Sequence, residues 1–285
     1  MNNRYNVPKC LPICDKTVEA KDVVTISFKL PHQLRVDVIP GQYFMLWVPG
    51  DDEIPIAVSD YQGNTISFTI FDLGPTSHNL IKSPIGELIG LRGPYGNGFT
   101  MDKSETSIVI GGGIGLAPLR YLIGRILECG ISTRVILLEG ARNVNGLVYR
   151  KYFESLSIES TFFTDDGSFG RKGFPTIALK ELLTSDITET PEELTIYACG
   201  PEAMLVSVVA ITTIKGLNER LQVSLADRFI RCGFGVCGSC FMDERGLSIC
   251  HDGPVFRGDI IVDVKDFGVW GRGQDGDKFS LKKDY

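Results

Sequence analysis

This sequence has few histidines, fewer basic than acidic residues and no long apolar run. Its three histidines, His32, His78 and His251, do not stand at metal-ligand spacings, which leaves a zinc hydrolase without ligands. The formal net charge is −6 and no basic cluster is interleaved with aromatic residues, so nucleic-acid binding is not expected. The longest apolar stretch, residues 108–119, is too short to span a bilayer, so no membrane segment is expected either.

The amino terminus has no apolar signal-peptide core, so secretion is not expected. The chain nevertheless has eight cysteines, and without a signal these favour metal ligation in a reducing cytoplasm over disulfide bonds. With 43% hydrophobic and 22% charged residues the composition is that of a globular protein. The length of 285 residues allows about two or three domains.

Four of the cysteines lie in one short segment, residues 231–250, with the sequence RCGFGVCGSCFMDERGLSIC. Cys232, Cys237, Cys240 and Cys250 have the spacing C-x4-C-x2-C-x9-C, and plant-type [2Fe–2S] proteins use C-x4-C-x2-C followed by a distal cysteine. The glycines between them let the backbone wrap closely and point N–H groups at sulfur. We therefore predict that these four thiolates hold a [2Fe–2S] cluster. Structural zinc is the alternative, although only Cys237 and Cys240 form a usual zinc-type pair.

The amino-terminal third of the chain has β-type patterns. Alternating runs at residues 23–30, 41–48 and 65–71 are rich in β-branched and aromatic residues, and prolines and glycines separate them. Short strands at this spacing predict a small antiparallel barrel. Cys10 and Cys14 are expected to lie ahead of this barrel, as two reduced thiols in a terminal segment.

From about residue 105 the pattern changes to strands that alternate with helices. Strands are predicted at 107–110, 134–138, 161–164 and 194–198, and helices to about residue 129 and over 149–156, 177–183 and 202–214. Such alternation predicts a doubly wound parallel sheet.

Three stretches at predicted strand ends have the residues of a nucleotide site. Residues 111–118 (GGGIGLAP) join a strand to a helix as a pyrophosphate loop does, although Pro118 replaces the third glycine of G-x-G-x-x-G. Residues 199–204 (CGPEAM) follow another strand, where the cysteine is either functional or simply buried. Asp165 and Asp166 close a third strand, where carboxylates receive ribose hydroxyls and repel a 2′-phosphate, or form a solvated turn. The first of these alternatives favours NAD over NADP.

Together these stretches resemble the ferredoxin–NADP reductase superfamily and, within it, the electron transfer subunit of dihydroorotate dehydrogenase, over almost the whole chain. Besides the glycine loop and CGPEAM, the stretches GPYGNGF (93–99), TDDGSFGRKG (164–173) and CHDGPVF (250–256) are similar to signatures of that family in order and spacing. The resemblance implies an FAD-binding β-barrel domain at 1–102, an NAD-binding α/β domain at 103–222 and a small [2Fe–2S] domain at 223–285.

The resemblance also implies the cofactor contacts and the partner. Electrons would pass between NAD(H), FAD, the cluster and the FMN of a dihydroorotate dehydrogenase catalytic subunit, within a cytoplasmic heterotetramer of pyrimidine biosynthesis. No protein acid or base is expected, because hydride transfer needs none here. The residues implied to contact FAD or NAD are Ile54, Pro55, Ile56, Ala57, Thr69, Ile70, Phe71, Thr76, Ser77, Gly111, Gly113, Ile114, Gly115, Pro118, Asp165, Cys199, Gly200, Pro201 and Met204.

The flavin motif departs from the family's pattern. Where the family has Arg-Pro-x-Ser, this chain has Ile-Pro-Ile-Ala at residues 54–57, so a contact to the flavin's phosphate or to its N5 is expected to be missing or supplied elsewhere. Ser77, or Thr76 beside it, takes the family's threonine position. Two other functions remain open: the diaphorase subunit of a sulfhydrogenase or of a ferredoxin-dependent transhydrogenase, and a non-enzymatic module whose cysteines hold zinc.

Overall fold

The computed structural model describes residues 5–184, 193–242, 245–273 and 277–281. The strands are β1 (Tyr5–Ala20), β2 (Val23–Lys29), β3 (Tyr43–Trp47), β4 (Glu53–Gln62), β5 (Thr65–Phe71), β6 (Leu88–Tyr95), β7 (Ser104–Gly112), β8 (Ser132–Ala141), β9 (Glu159–Thr164), β10 (Arg171–Lys172), β11 (Leu194–Cys199), β12 (Leu221–Ser224), β13 (Phe241–Met242), β14 (Leu247–Ser248), β15 (Val255–Arg257), β16 (Trp270–Arg272) and β17 (Lys278–Ser280). The helices are α1 (Pro75–Lys82), α2 (Leu116–Cys129), α3 (Arg150–Ser155), α4 (Pro175–Leu182), α5 (Glu202–Ile214) and α6 (Gly258–Ile261).

Strands β1 to β6 close into an antiparallel barrel in the order β1-β2-β5-β4-β3-β6. Its interior is filled by apolar side chains such as Phe28, Phe44 and Phe68, which are fully buried. Strand β4 changes partners along its length, because residues 53–57 pair with β3 and the strand pairs with β5 only from Val58 onwards. The first half of β4 therefore has one open side, which tolerates a proline at position 55 and faces the site described below.

Cys10 and Cys14 do not precede the barrel, so that expectation was wrong. Both lie on β1, a strand of 16 residues that pairs first with β6 and from Ile13 onwards with β2. Pro8 and Pro12 lie within this strand. Because proline is depleted in sheets, the sequence pattern did not predict a strand here. Strands β4 and β6 were also absent from the expected set.

The second sheet has seven strands in the order β10-β9-β8-β7-β11-β12-β15. The first six are parallel, and β15 is added antiparallel at the edge. Helices α2 and α3 cover one face and α4 and α5 cover the other. Because both faces are buried, β7 has consecutive apolar residues at 108–110 instead of alternation. The predicted doubly wound parallel sheet is confirmed.

The carboxyl-terminal part joins the two larger units instead of standing apart. It contains the short β13–β14 hairpin, and its strand β15 completes the large sheet by pairing with β12. It also packs on the barrel: Asn97 N–H donates to Gly253 O at 2.6 Å, and a Cβ added to Gly96 would lie 2.5 Å from Pro254 Cδ. A last hairpin, β16–β17, follows α6. Within the described ranges every helix is too short or too polar to cross a membrane.

Candidate functional site

The four cysteines of the 231–250 segment come together as two contacting pairs. The thiol of Cys232 interacts with that of Cys237, and the thiol of Cys240 with that of Cys250. All four are free thiols. A [2Fe–2S] cluster takes two protein thiolates at each iron, which is the donor set that two adjacent pairs provide. Within the described ranges, no three His, Cys, Asp or Glu side chains surround a single metal position.

Backbone N–H groups point at the sulfur atoms. Gly235 N–H donates to Cys250 Sγ at 3.1 Å, and Val236 N–H to Cys232 Sγ at 3.4 Å. The backbone reaches these positions because Gly233 and Gly235 adopt φ values of 85° and 84°, in the left-handed region that favours glycine. Burial works against ionisation of Cys232, but the backbone donors around its sulfur outweigh burial and lower its pKa to about 6. The residues therefore fit an anionic cluster held by thiolates.

The barrel holds this segment through two residues that the sequence did not single out. The hydroxyl of Tyr43, which is buried, donates to Gly233 O at 2.9 Å and lies 3.2 Å from Cys250 O. Both carbonyls belong to the backbone that carries cluster cysteines. The guanidinium of Arg92 lies over the ring of Phe234, 5.6 Å from its centroid. The position of the thiols relative to the barrel is therefore fixed by β3 and β6.

A cavity of about 680 Å³ opens between the barrel, the large sheet and the cluster segment. Its volume and mainly apolar lining are those of a site for a large planar ligand. Helix α1 begins at its wall, and the backbone N–H groups at a helix start favour binding of an anion such as a pyrophosphate. The residues implied for FAD that line it are Ile54, Pro55, Ile56, Ala57, Thr69, Phe71, Thr76, Ser77 and Ile114. Ile70 is fully buried in the barrel core and does not line the cavity.

Tyr149 connects the large sheet to the wall of this cavity. It follows β8 with a φ of 63°, which is uncommon for a residue other than glycine. Its hydroxyl is hydrogen-bonded to Thr69 Oγ1, which in turn bonds Thr25 Oγ1 at 2.8 Å. Burial raises the pKa of Tyr149 to about 12, so it stays a neutral hydrogen-bonding group. The sequence gave no signal for this contact, because its partners are far apart in the chain.

The glycine loop and CGPEAM meet at the carboxyl edge of the large sheet. Gly111 at the end of β7 pairs with Cys199 at the end of β11. A Cβ on Gly115 would lie 2.3 Å from the carbonyl carbon of Cys199, and a Cβ on Gly200 would lie 2.8 Å from Met204 Cε. Only glycine fits at these two positions, and the two stretches form one continuous wall where such sheets bind nucleotides.

The remaining residues implied for NAD lie along the same edge. Gly113 has a φ of 56°, Pro118 stands in the first turn of α2, and Pro201 directly precedes α5. Asp165 is exposed after β9, two strands away from the glycine loop. Burial raises the pKa of the Cys199 thiol to about 12, so it is not a thiolate at neutral pH. Ile114 of the glycine loop also lines the flavin cavity, so the two nucleotide sites adjoin.

An ion pair that the sequence did not predict closes one side of the cavity. Glu202 is the first residue of α5, and Arg228 lies just before the cluster segment. The two form two hydrogen bonds of 2.5 and 2.6 Å, and both side chains are nearly buried. Glu202 also accepts from the N–H of Gly268 at 2.6 Å. Both charged residues line the cavity. The pair therefore joins the large sheet, the cluster segment and the carboxyl-terminal segment.

One buried acid near the edge of the sheet has no evident ligand. Glu139 on β8 is fully buried, and neither carboxyl oxygen has a hydrogen-bond partner of good geometry within the described residues. Burial raises the pKa of Glu139 well above its ordinary value, and the nearby N–H of Val148 and charge of Arg150 offset this only in part, while Glu154 adds to it. Burial therefore favours the protonated, neutral form of Glu139 over the carboxylate in the folded protein.

Two family models match the chain. The iron-sulfur cluster binding domain of dihydroorotate dehydrogenase B matches residues 227–262, and the oxidoreductase NAD-binding domain matches residues 109–210. The first of these contains all four cluster cysteines, and its description speaks for an iron–sulfur cluster over structural zinc. The second begins on β7 and includes the glycine loop and CGPEAM.

Curated relatives are similar over most of their length. The chain is 38% identical over 242 residues to the probable dihydroorotate dehydrogenase B (NAD(+)) electron transfer subunit of Methanocaldococcus jannaschii. The aligned region covers 85% of this chain and 88% of that protein. The chain is 35% identical over 272 residues to the protein of that name from Methanothermobacter thermautotrophicus, covering 94% and 95% of the two chains.

Solved structures share the fold. An NADH-dependent reduced ferredoxin-NADP oxidoreductase, studied for flavin-based electron bifurcation, is 27% identical with a TM-score of 0.74 and covers 88% of this chain and 89% of its own. A ferredoxin NADP⁺ reductase from Neisseria gonorrhoeae with bound FAD and NADP is 18% identical with a TM-score of 0.61, covering 73% and 92% of the two chains. At that identity the second likeness concerns the fold alone.

Proposed function

The chain belongs to the family of dihydroorotate dehydrogenase B electron transfer subunits, and from this premise we propose that it carries electrons between NAD(H) and a catalytic subunit that oxidises dihydroorotate to orotate in pyrimidine biosynthesis. The cofactors are FAD, a [2Fe–2S] cluster and NAD. The proposed partner binds FMN and forms a heterotetramer with this chain. All eight cysteines are free thiols, which suits the cytoplasm as the place of action.

One observation carries the proposal. A single stretch of chain runs from the wall of the flavin cavity to the cluster thiols and to an exposed surface beside them. Residues 226–229 line the cavity, Cys232 and Cys237 follow, and Phe234 and Val236 are 44% and 73% exposed. One short stretch of chain therefore contains part of the cavity wall, two cluster thiols and exposed apolar side chains. The nicotinamide edge also adjoins the cavity, through Ile114.

The chain's own residues bind and position the cofactors. When bound, FAD exchanges a hydride's two electrons with the nicotinamide and single electrons with the cluster. The glycine loop and CGPEAM hold the nicotinamide nucleotide beside the cavity. Tyr43 holds the backbone at Gly233 and Cys250, and so fixes the cluster relative to the barrel. No side chain is required to move a proton in this scheme.

The proposed docking face for the catalytic subunit surrounds the thiols. Phe234, Val236 and Phe241 are exposed there, and Cys237 is exposed among them. Single electrons require close approach of two cofactors, so the partner's FMN has to come to this face. Exposed apolar side chains next to a cofactor are what the core of such an interface needs.

The test compares two activities of purified protein. The chain alone should reduce dyes with NADH and show no activity on dihydroorotate, and coupling of dihydroorotate to NAD⁺ should appear when an FMN-containing dehydrogenase subunit is added. Val236→Glu should lower the coupled activity and spare dye reduction. Val18→Glu is the matched control, because Val18 is 74% exposed on the barrel. Dihydroorotate oxidation by the chain alone, or equal effects of the two variants, would contradict the proposal.

A second function is favoured by the structural likeness to the ferredoxin-NADP oxidoreductase, which is 27% identical over nearly all of this chain. In that case the chain would be the diaphorase subunit of a transhydrogenase, with ferredoxin or another subunit as electron partner. Coupling to reduced ferredoxin, together with failure to couple to any dihydroorotate dehydrogenase subunit, would favour this function.

A further inference from the structure

A second cavity, of about 810 Å³, adjoins the flavin cavity. The two cavities share four wall residues, which are Ile54, Pro55, Thr76 and Phe229. Thr76 stands in the first turn of α1, where backbone N–H groups favour a pyrophosphate. The start of α1 therefore lies at the junction of the two cavities.

The remaining walls of the flavin cavity indicate which part of FAD it takes. Ile114 of the glycine loop lines it, and so do Gly271 and Phe279 of the last hairpin. Arg228, another wall residue, donates to the carbonyl of Asp266 at 3.2 Å, at the base of this hairpin. Because the nicotinamide is held at the glycine loop and has to reach the flavin ring, the ring belongs in this cavity.

FAD is an elongated molecule whose flavin and adenosine stand at opposite ends of its pyrophosphate. With the flavin in the first cavity and the pyrophosphate at the start of α1, the adenosine continues into the second cavity. We propose that the second cavity is the adenosine subsite of FAD, and that Trp47 in its wall is the aromatic surface on which the adenine stacks. This inference rests on FAD as a cofactor of the proposed function, and not on the partner subunit.

The indole of Trp47 is held in place by the barrel. Its N–H donates to the backbone carbonyl of Asp51 at 3.1 Å. Gly90 lies opposite Trp47 on β6, and a Cβ there would lie 2.8 Å from Trp47 Cε3 and 3.0 Å from Pro8 Cβ. Glycine at position 90 therefore makes room for the indole. An aromatic surface that is fixed before binding loses little conformational entropy when a base stacks on it.

The charges of the second cavity suit a neutral nucleoside. Its lining residues include three carboxylates, those of Asp51, Asp52 and Glu53, and one guanidinium, that of Arg231. Glu53 is paired with Arg92 at 2.6 Å. Carboxylates accept hydrogen bonds from ribose hydroxyls and from the adenine amino group, whereas they repel a further phosphate. The lining therefore favours adenosine over an anionic ligand.

The experiment compares FAD with FMN, which lacks the adenosine. The full-length chain, with its cluster but stripped of flavin, is titrated with each, and binding is followed by flavin fluorescence. Trp47→Leu should weaken FAD binding by roughly five- to a hundred-fold, the usual effect of losing a base–aromatic stack, and should leave FMN binding unchanged. Trp47→Phe should keep most of the FAD affinity, because an aromatic ring remains. Tyr61→Leu is the matched control, since Tyr61 lies on β4 of the same barrel and, within the described part of the chain, lines neither cavity.

A second measurement leaves Trp47 in place. The chain has two tryptophans, so Trp270→Phe makes Trp47 the sole source of indole fluorescence. ADP, which is the adenosine and pyrophosphate part of FAD, should quench this fluorescence at concentrations that compete with FAD, because a stacked base quenches an indole. Inorganic pyrophosphate should compete without quenching.

Three results would overturn the proposal. Equal weakening of FAD and FMN in Trp47→Leu would mean that the indole only supports the barrel. Unchanged FAD binding in that variant, or competition by ADP without quenching of Trp47, would place the adenosine outside the second cavity. None of these results bears on coupling to dihydroorotate, which is measured separately with the partner subunit.

Discussion

Replacing Tyr43 by phenylalanine removes one oxygen from a buried site and should loosen the cluster segment without touching the flavin cavity. The hydroxyl serves Gly233 O at 2.9 Å and Cys250 O at 3.2 Å, and Gly233 and Cys250 are both buried. A buried acceptor left without a donor costs about 1–3 kcal/mol. That cost acts on opening of the cluster segment, so the population of opened segments should rise by roughly five- to a hundred-fold.

A larger population of opened cluster segments should be measurable as faster loss of the cluster. Visible absorbance of the cluster is followed after addition of an iron chelator, under conditions where segment opening precedes chelation. Tyr61→Phe is the control, because Tyr61 lies on the barrel strand β4 away from the thiols. Flavin content should be equal in both variants, since neither residue lines the flavin cavity. If Tyr43→Phe loses its cluster at the rate of the parent protein, the hydroxyl does not hold this segment and the reasoning fails.

Three further outcomes are expected. Asp165→Asn should reduce the preference for NADH over NADPH by roughly two- to five-fold, the effect expected of an exposed charge. The preference is measured as the ratio of the rates at which the two nucleotides reduce the flavin in a stopped-flow instrument. An unchanged ratio would mean that Asp165 only forms part of a solvated turn. Tyr149→Phe should lower the free energy of unfolding by about 1 kcal/mol in urea titrations, because Thr69 keeps Thr25 but loses its second hydrogen-bond partner. An unchanged free energy of unfolding would show that this hydrogen bond adds nothing to stability. The pKa of Glu139 is raised in the folded state. Its contribution to the free energy of unfolding is therefore fully present below the ordinary carboxyl pKa and is lost as pH rises through the folded pKa. Glu139→Gln should therefore gain stability over the parent by about 1.4 kcal/mol for each pH unit in that window, and a gain that does not change with pH would contradict this.

The features that the sequence could predict are those carried by neighbouring residues. The cluster thiols are separated by a few residues, so their spacing alone indicates the metal chemistry. The glycine loop likewise couples a buried strand, a tight turn and a helix start within one short stretch. The absence of an arginine at position 54 was also visible, with the expectation that a contact to the flavin is missing or supplied elsewhere.

The features that the sequence could not predict depend on contacts between distant residues. Tyr43 and Gly233 are 190 residues apart, and nothing near Tyr43 marks it as a support for the cluster. The same holds for Arg228 and Glu202, and for the return of the last hairpin to the cavity. Strand β1 was missed because of a misleading local signal. Its two prolines argue against a strand, but the pairing of β1 with β2 and β6 accommodates them. The domain boundaries placed at 102 and 222 stay predictions, and the second falls inside β12.

The way in which these distant contacts meet makes the cofactor sites interdependent. Residues 226–229 form part of the wall of the flavin cavity and lead directly into the cluster segment. A flavin that binds this wall favours the closed segment, because a ligand stabilises whatever conformation it binds. The cluster in turn holds residues 232–250 together and keeps that wall in place. Arg228 fastens the same wall to α5 and to the base of the hairpin. Binding of one cofactor is therefore expected to stabilise the conformation that the neighbouring site needs.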